Sequence, residues 1–490
     1  MHTASVNHTE SRQDVQPEAT TRVRYWILLL LCVLSMITYL DRVCFGAAAP
    51  EISQAIGLTD VSQMKWAFTA FALAYALFEI PTGWLGDRLG PRNLLIRIVI
   101  WWSACTILTG AIGLKWGAIS FGGLGSLIAL RFLFGAGEAG AYPNITRAIH
   151  DWFPKREWEF AQGAIWMTGR LMGGVTPVIW AILVGNALFP VAPLDWRGAF
   201  FLFGGIGFLW CIGFAYWFRN SPAQHSQVSK AELAVIHQGR TKSTESHKIV
   251  WSMLMTTRSL HALWLMYALV TFVWIFNITY LPAYLLERFQ VEKGNLLGAI
   301  YCGAPLWLGA VGCLSGGFLV SWFARRTATR AQARQRLGVI AMLVGSLLWV
   351  GAFWSPNIHL FCLMVALSAF CIDLTVGSAW ASCQDIGQEN AGVAAASMNM
   401  IGTFGAAFAG WLTGTLIQNS LTYSAARSVT TVELLSPLQR QAAILVGYDQ
   451  LFLINIFVFL AAAICWLFVK VDPPADDVST PFTDESPGNI

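Results

Sequence analysis

Twelve long apolar runs dominate this chain, and they constrain its fold more than any other feature. A run of about 20 apolar residues crosses the ~30 Å hydrocarbon core of a bilayer as a helix. Apolar residues make up 56% of the sequence and charged residues 12%, whereas about a quarter of an ordinary soluble domain is charged. The sequence therefore predicts an all-α integral membrane protein surrounded by a lipid bilayer, and it excludes a soluble domain.

The apolar runs fall into two groups of six. The predicted helices cover residues 25–47, 64–84, 93–114, 124–149, 158–184, 199–218, 258–285, 295–323, 337–354, 359–382, 393–417 and 449–470. We expect a cytoplasmic N-terminal tail over 1–24, six-helix bundles over 25–218 and 258–470, and a cytoplasmic linker over 219–257. The acidic stretch 471–490, rich in Pro, Ser and Thr, predicts a disordered cytoplasmic tail.

Lys and Arg mark the loops that face the cytoplasm. They concentrate before the first helix, in the linker and after the eighth helix, where Arg325, Arg326 and Arg330 occur without an acid. The opposite loops are poorer in basic residues. We expect no secretory signal peptide before the first helix. This pattern predicts a multi-pass inner-membrane protein with both termini in the cytoplasm.

One short segment occurs in two weakly similar copies, Gly83–Arg92 and Gly317–Arg326. Each copy follows the second helix of a group of six, and the copies are about half a chain apart. Such a repeat indicates two pseudo-symmetric bundles with a site between them. The second copy has Ser321 where the first has Asp87.

The segment Gly83–Arg92 resembles the signature loop of the major facilitator superfamily. Glycines there permit a tight turn and close helix approach, and Asp87 can pair with a basic residue or a helix N-terminus across the bundle interface. We expect a latch that holds one access state. Its predicted members, together called the latch segment, are Gly83, Asp87, Arg88, Gly90 and Arg92.

Three further stretches are similar to the anion:cation symporter branch of that superfamily, which includes bacterial hexuronate, galactonate and glucarate carriers. They are Tyr39–Arg42, Leu130–Ala139 with the following Tyr142-Pro143, and Trp380 with Asp385-Ile386 and Met398–Gly402. The resemblance implies a secondary transporter that works by alternating access and not an enzyme. It also implies the major facilitator fold of twelve helices in two bundles.

Ionisable residues are rare inside the predicted helices. Because such a side chain costs about 2.5–3.5 kcal/mol at mid-bilayer, each is a candidate functional group. Away from the extreme ends of the predicted ranges, the charged residues are Asp41, Arg42, Glu79, Arg97, Arg131, Glu138, Arg170 and Asp373. Glu79 and Arg97 lie near predicted helix ends, so we expect them to snorkel to the interface or to support the latch segment.

The remaining charged residues of the first bundle are suited to binding an anion and carrying a proton. Arg42 and Arg131 each present a planar fork that fits a carboxylate. Asp41 and Glu138 are candidate proton carriers, since a carboxyl group in a low-dielectric cavity can bind and release a proton near neutral pH. Arg131 and Glu138 are two helical turns, about 10 Å, apart, so we do not expect them to pair. The alternative is that these groups form static ion pairs that hold helices together.

Arg170 and Asp373 depart from the pattern of the sugar-acid carriers. A third arginine would suit a more negatively charged substrate or would neutralise Asp373, which is a further candidate for proton coupling. Tyr39, Tyr75, Asn277 and Asn399 are candidate substrate ligands. Other polar or aromatic candidates for the cavity are Tyr280, Tyr284 and Ser378. The alternative for these groups is interfacial placement or helix packing.

The sequence therefore predicts proton-coupled import of an organic anion such as a sugar acid, by a monomer that needs no cofactor or metal and binds no nucleic acid. The ten cysteines and eight histidines show no ligand spacing. An exchanger of phosphorylated anions is the alternative, and Na⁺ is the alternative coupling ion. A membrane enzyme would need a catalytic constellation that the sequence lacks, and a channel would show unsaturable conductance.

Overall fold

A computed structural model describes residues 20–58, 64–116, 119–184, 193–238, 250–291, 296–428 and 431–470. Residues 1–19 of the predicted N-terminal tail, residues 239–249 of the predicted linker and the predicted tail 471–490 lie outside the described residues. The structural statements below concern the described ranges.

Twelve helices cross the molecule and are numbered in chain order. They are α1 Val23–Ala47, α2 Lys65–Leu89, α3 Pro91–Ala111, α4 Leu124–Trp152, α5 Trp158–Leu183, α6 Trp196–Trp217, α7 Arg258–Phe289, α8 Leu296–Ala324, α9 Arg330–Phe353, α10 Ile358–Gly387, α11 Ala391–Arg427 and α12 Pro437–Phe468. Ten described stretches are long and apolar enough to cross a membrane. One of these ten contains both α10 and α11, and α5 is an additional 26-residue helix. The prediction of a twelve-helix membrane fold is confirmed.

Two of the spans are not continuous α-helices. In α4 the helices Leu124–Glu138 and Ala141–Trp152 are separated by a short break. In α7 the α-helix Arg258–Ile275 passes through a π-turn, Phe276–Tyr280, into the helix Leu281–Phe289. Such breaks place side chains in directions that a single helical period does not predict.

Several helices extend beyond the predicted limits. The predicted latch loop is largely helical, because α2 continues to Leu89. Helix α11 runs to Arg427, and α12 begins at Pro437, where Ser436 and Gln439 form a capping box. Hydropathy detects only the part of a helix that lies in hydrocarbon, so it predicts loops where the polar ends of these helices are.

A small hairpin is the exception to the all-α prediction. Strands β1 (Leu114–Trp116) and β2 (Ile119–Phe121) pair antiparallel between α3 and α4, with Leu114 opposite Phe121. The hairpin is a connection outside the helical bundles and does not alter the fold class.

The two halves of the chain pack by the same scheme. In the first half α1 packs on α5, α2 on α4 and α3 on α6, and in the second half α7 packs on α11, α8 on α10 and α9 on α12. Between the halves, α2 contacts α11 and α5 contacts α8. Each contact has a counterpart six helices later, as expected for two pseudo-symmetric bundles.

Large apolar side chains cover the outer surface of the bundles. Leu209, Ile212 and Leu347 are 68%, 68% and 70% exposed, while Trp102 and Trp349 are fully buried. In water such an apolar surface would be unfavourable. Against lipid tails it is the expected surface of a multi-pass membrane protein.

Part of the segment between the bundles docks on the first bundle. In the short helix Lys230–His237, the buried Glu232 accepts hydrogen bonds from the backbone N–H groups of Val23 and Arg24. Arg24 also contacts Glu232 at 3.1 Å. A carboxylate at a helix N-terminus satisfies unpaired N–H groups, so this helix caps α1.

Candidate functional site

The first buried ion pair joins α1 to α4. Arg42 Nε lies 2.8 Å from Glu138 Oε1, and the two side chains are 28% and 1% exposed. Arg42 Nη2 and Glu138 Oε2 have no hydrogen-bond partner among the described residues. Glu138 is the last residue of the helix Leu124–Glu138, so the break in α4 follows it directly. The pair therefore retains one donor and one acceptor that could bind a further group.

Arg131 is a buried cation without an ion pair among the described residues. It is 3% exposed, and its guanidinium carbon lies 4.0, 4.6 and 4.8 Å from the ring centroids of Phe45, Phe134 and Phe71. Aromatic faces attract cations, but they do not neutralise a buried charge. As predicted, Arg131 and Glu138 do not pair directly. The aromatic cage was not predicted, because its three rings come from three helices.

Asp41 faces α3 and makes one weak hydrogen bond. Its Oδ2 atom accepts from Thr106 Oγ1 at 3.4 Å, while Oδ1 has no partner among the described residues. Asp41 is 3% exposed. Arg131 and Glu138 are close enough to interact with it electrostatically. The structure thus groups four predicted residues, Asp41, Arg42, Arg131 and Glu138, within the first bundle.

The second buried ion pair crosses between the bundles. Arg170 Nε and Nη2 on α5 each lie 3.0 Å from an oxygen of Asp373 on α10. Arg170 Nη1 donates to Tyr39 Oη at 2.8 Å, and the guanidinium carbon lies 3.7 Å from the Trp274 ring centroid. Of the two possibilities for Arg170, the structure shows pairing with Asp373. Trp274 was not predicted as a member of the site.

A third polar group also crosses between the bundles. Asn399 on α11 donates to the Glu79 carboxylate through a close contact and to Tyr75 Oη at 3.3 Å. Glu79 is fully buried, so the expectation that it snorkels is wrong. The longer α2 places it in mid-helix rather than near an end. Arg97 is exposed, and its snorkelling to the membrane interface stays a prediction. The Tyr75 ring lies 4.7 Å from the Arg42 guanidinium, so this group adjoins the first ion pair.

The remaining candidates differ in their surroundings. Asn277 lies in the π-turn, is 2% exposed, and has no partner for either amide atom among the described residues; Ser378 Oγ is likewise unpartnered. Tyr280 donates to the Gly410 carbonyl oxygen at 3.0 Å. Tyr284 packs among aromatic rings, including those of Phe361 and Phe452. Asn277 and Ser378 therefore have free hydrogen-bonding capacity, whereas Tyr284 is a packing residue.

The latch segment ties the bundles together through Asp87. Asp87 accepts hydrogen bonds of 2.9 Å from the N–H groups of both Gly392 and Val393, at the start of α11. A carboxylate at a helix N-terminus satisfies unpaired N–H groups and interacts favourably with the helix dipole. A Cβ on Gly83 would lie 2.7 Å from the Gly392 carbonyl oxygen, so glycine permits this close crossing. We call this end of the bundles the latch end.

The other latch residues act within the first bundle. Gly90 has a φ of +82°, which favours glycine at the turn between α2 and α3. Arg92 donates to the Phe218 carbonyl oxygen at 2.9 Å, and Arg88 stacks on Trp84 with its guanidinium carbon 4.2 Å from the ring centroid. Of the predicted latch side chains, Asp87 alone makes a described hydrogen bond across the interface.

A second network at the latch end was not predicted. The buried Glu159 on α5 contacts Arg330 at 2.7 Å and Arg334 at 2.6 Å, and Arg334 contacts Asp385 at 2.5 Å. Hydropathy placed Arg330 and Arg334 in a loop, whereas both belong to α9. The sequence signal for this network is the basic cluster after the eighth helix, which contains no acid. Buried arginines need carboxylates, and here those carboxylates come from other helices.

The described residues contain no cluster of His, Cys, Asp and Glu that could hold a metal ion. The chemistry that the site offers is the pairing of guanidinium groups with carboxylates, in which one carboxylate can replace another. Away from the latch end, three buried or partly buried arginines and four buried carboxyl groups lie in or beside the bundle interface, and several polar atoms lack a partner among the described residues. Such a site can bind an anion and exchange protons without a covalent step.

This chain is similar to known transporters over most of its length. The family model described as Major Facilitator Superfamily matches residues 31–410. The probable sulfoacetate transporter SauU of Cupriavidus necator is 33% identical over 390 residues, which cover 77% of this chain and 84% of that protein. The probable galactarate/D-glucarate transporter GudP of Escherichia coli is 30% identical, with 67% and 72% covered. The hexuronate transporter of Bacillus subtilis is 26% identical, with 82% and 89% covered.

Solved structures show the same fold. A variant of the Escherichia coli fucose:proton symporter FucP superposes with a TM-score of 0.62 at 13% identity, covering 92% of this chain and all of that one. A bacterial homologue of the human lysosomal transporter Spinster, inward-facing and unoccupied, gives a TM-score of 0.57 at 19% identity, covering 92% and 98%. The predicted resemblance is confirmed, and the chain belongs to the major facilitator superfamily, a family of membrane transporters rather than enzymes.

Proposed function

We propose that this protein is a proton-coupled symporter that imports an organic anion such as a sugar acid across the inner membrane. The observation that carries the proposal is Arg131, a buried guanidinium with no ion pair among the described residues. A buried charge without a counter-ion is costly. A substrate carboxylate beside Arg131 supplies that counter-ion.

Arg42 and Glu138 link anion binding to a proton. While Glu138 is ionised it holds Arg42 at 2.8 Å and competes with the substrate for the guanidinium. When Glu138 binds a proton, the ion pair is lost and Arg42 joins Arg131 in holding the carboxylate. Asp41, with an oxygen unpartnered among the described residues and next to Arg131, is the second candidate carrier of a proton.

The contacts between the bundles indicate which access state the structure represents. The described ion pairs that bridge them lie at the latch end, apart from Arg170–Asp373 deeper in the interface. This distribution supports a state closed at the latch end and open at the other. The basic loops support a cytoplasmic position for the latch end and for both termini. Rocking of the bundles would then import the substrate.

The relatives support an organic anion as the substrate. Sulfoacetate, galactarate, D-glucarate and hexuronates, named for the matched transporters, all carry at least one carboxylate. Buried polar groups without a partner among the described residues, including Asn277 on α7 and Ser378 on α10, suit hydroxyl groups on such molecules. We propose a monomer as the working unit, because one chain contains both bundles.

Uptake into liposomes containing the purified protein tests the proposal. The panel comprises sulfoacetate, galactarate, glucarate, galactonate, a hexuronate and inorganic phosphate, each with an inward proton gradient, an inward Na⁺ gradient or neither. The proposal expects saturable uptake of at least one organic anion driven by protons alone. Uptake driven only by Na⁺ would show that Na⁺ and not H⁺ is the coupling ion. Phosphate competition together with gradient-independent exchange would favour the organophosphate exchanger.

A further inference from the structure

The Arg170–Asp373 pair repeats the chemistry of the Arg42–Glu138 pair. In each, a guanidinium contacts a buried carboxylate, at 3.0 Å and 2.8 Å respectively. The Asp373 contact is a parallel two-pronged one, the geometry with which arginine also binds carboxylate ligands. The Arg170 and Asp373 side chains are 8% and 0% exposed.

Tyr39 connects the two pairs. Its hydroxyl accepts from Arg170 Nη1 at 2.8 Å, and it lies on α1 three residues before Arg42, about 4.5 Å along the helix axis. Tyr39 interacts electrostatically with both arginines. Arg170 therefore contacts α1 at Tyr39, one helical turn before Arg42, and the two cations lie near enough to bind the two ends of one short molecule.

We propose, building on the function proposed above, that the substrate is a short dianion whose second anionic group displaces Asp373 from Arg170. The first group binds at Arg42 and Arg131. The second, a carboxylate or sulfonate, takes the fork of Arg170, whose plane is held by Trp274 at 3.7 Å. Asp373 thus occupies Arg170 until a substrate with a second charge arrives.

The displacement requires a proton. Once separated from Arg170, the Asp373 carboxylate would be buried without a counter-ion, which is strongly unfavourable. The proton comes from hydronium on the aqueous side: one O–H bond of hydronium breaks to leave water, and one O–H bond forms on Asp373. The other titratable groups that interact with Asp373 are Tyr39 on α1, Tyr267 on α7 and Cys313 on α8, which are neutral in their usual state. Two substrate charges are then balanced by two protons, one at each pair.

Matched substrates test this proposal. Galactarate and galactonate share a hydroxylated six-carbon chain and differ in one terminal carboxylate, and sulfoacetate and acetate differ in one sulfonate. Wild-type protein in liposomes should prefer the dianion of a pair at least about tenfold in kcat/KM, as expected for loss of a charge-assisted two-pronged contact. Equal kcat/KM values within both pairs would overturn the proposal.

The double variant Arg170→Gln/Asp373→Asn removes both charges and keeps a hydrogen-bonding pair of similar shape. It should lower the dianion-to-monoanion ratio about tenfold, whereas the exposed Arg97→Gln should leave the ratio unchanged. An unchanged ratio in a double variant that retains the wild-type melting temperature contradicts the proposal. Should the double variant fail to fold, the proton count below decides alone.

Proton uptake per substrate, measured with a trapped pH dye in the wild-type liposomes, is the second readout. We expect two protons per dianion and one per monoanion. One proton for each would refute the role of Asp373 while leaving proton-coupled symport intact. Absence of proton-driven uptake for every anion in the panel would instead refute the proposed function itself.

Discussion

At the scale of single residues, the site is defined by buried polar atoms that the protein does not fully satisfy. Arg131 has rings around it instead of a carboxylate, and Glu138 and Asp41 each retain an oxygen without a partner among the described residues. Buried polar groups in proteins are usually paired. Several incompletely paired groups close together in the first bundle are expected where a ligand completes the pairing.

Arg131 should not tolerate replacement by lysine. The variant Arg131→Lys keeps the positive charge but loses the planar fork and the stacking on Phe45 and Phe134. We expect the KM for the transported anion to rise about tenfold or more. Initial rates of uptake over a range of substrate concentrations measure this. Arg97→Lys is the control, because Arg97 is exposed; the same KM for wild type and Arg131→Lys would mean that Arg131 does not hold the carboxylate.

Glu79 depends on Asn399 for a hydrogen-bond donor. Asn399→Ala leaves a fully buried carboxyl group without that donor, which costs about 1–3 kcal/mol. We expect a lower melting temperature in detergent and partial recovery on adding Glu79→Gln. Asn455→Ala is the matched control, since both amide atoms of the buried Asn455 lack a partner among the described residues. An equal loss in both alanine variants would show that the Glu79 contact is not stabilising.

At the scale of elements, the ends of two helices meet at the latch. The end of α2 contributes Asp87 and the start of α11 contributes two N–H groups, while Gly83 lets the helices cross closely. The sequence predicted that Asp87 would meet a basic residue or a helix N-terminus. The structure shows the helix N-terminus at 2.9 Å, with Arg147 farther away at 3.8 Å.

Removing the charge of Asp87 should loosen the latch end. A carboxylate at a partly buried helix N-terminus contributes about 1–2 kcal/mol, so Asp87→Asn should raise the population of the state open at the latch end about five- to thirtyfold. Spin labels at Leu89 and Arg325, measured by double electron–electron resonance, should then show a longer distance component.

Asp195 provides the control for this experiment. It caps α6 within the first bundle by accepting from Gly198 N at 2.8 Å, so Asp195→Asn changes a helix cap without touching the interface. If both variants give the wild-type distance distribution, the Asp87 contact does not hold the access state.

At the scale of the whole molecule, the fold could be predicted from the sequence, whereas many of the side-chain pairs between helices could not. Apolar run length reveals each span, because the bilayer sets the same thickness for all of them. The residues with unusual charges were identified individually, since Arg42, Arg131, Arg170 and Asp373 interrupt apolar helices. Their partners come from other helices, often in the other bundle.

The unpredicted contacts have specific physical causes. The Arg42–Glu138 pair depends on how α1 packs beside α4, and the burial of Glu79 depends on the length of α2 beyond its most apolar part. Glu159 was overlooked because it lies at the polar start of α5, next to a basic cluster that hydropathy placed in a loop. Single-sequence patterns describe one helix at a time, whereas these contacts depend on helix–helix register.

The central claim is that proton binding at Glu138 frees Arg42 for the anion, and Glu138→Gln tests it most directly. Glutamine keeps the shape and can still accept from Arg42 Nε, but it cannot carry the proton. Liposomes containing wild type, Glu138→Gln or the exposed control Glu433→Gln are compared for uptake driven by a proton gradient and for exchange of labelled against unlabelled substrate at equal pH.

We expect wild type and Glu433→Gln to perform both reactions. With a monoanion as substrate, which does not engage Asp373, Glu138→Gln should lose gradient-driven accumulation while retaining part of the exchange, because exchange requires binding and access but no net proton movement. Gradient-driven accumulation by Glu138→Gln, or equal loss of both reactions, would contradict the account, since the first would place the coupling proton elsewhere and the second would leave Glu138 with a binding or structural role.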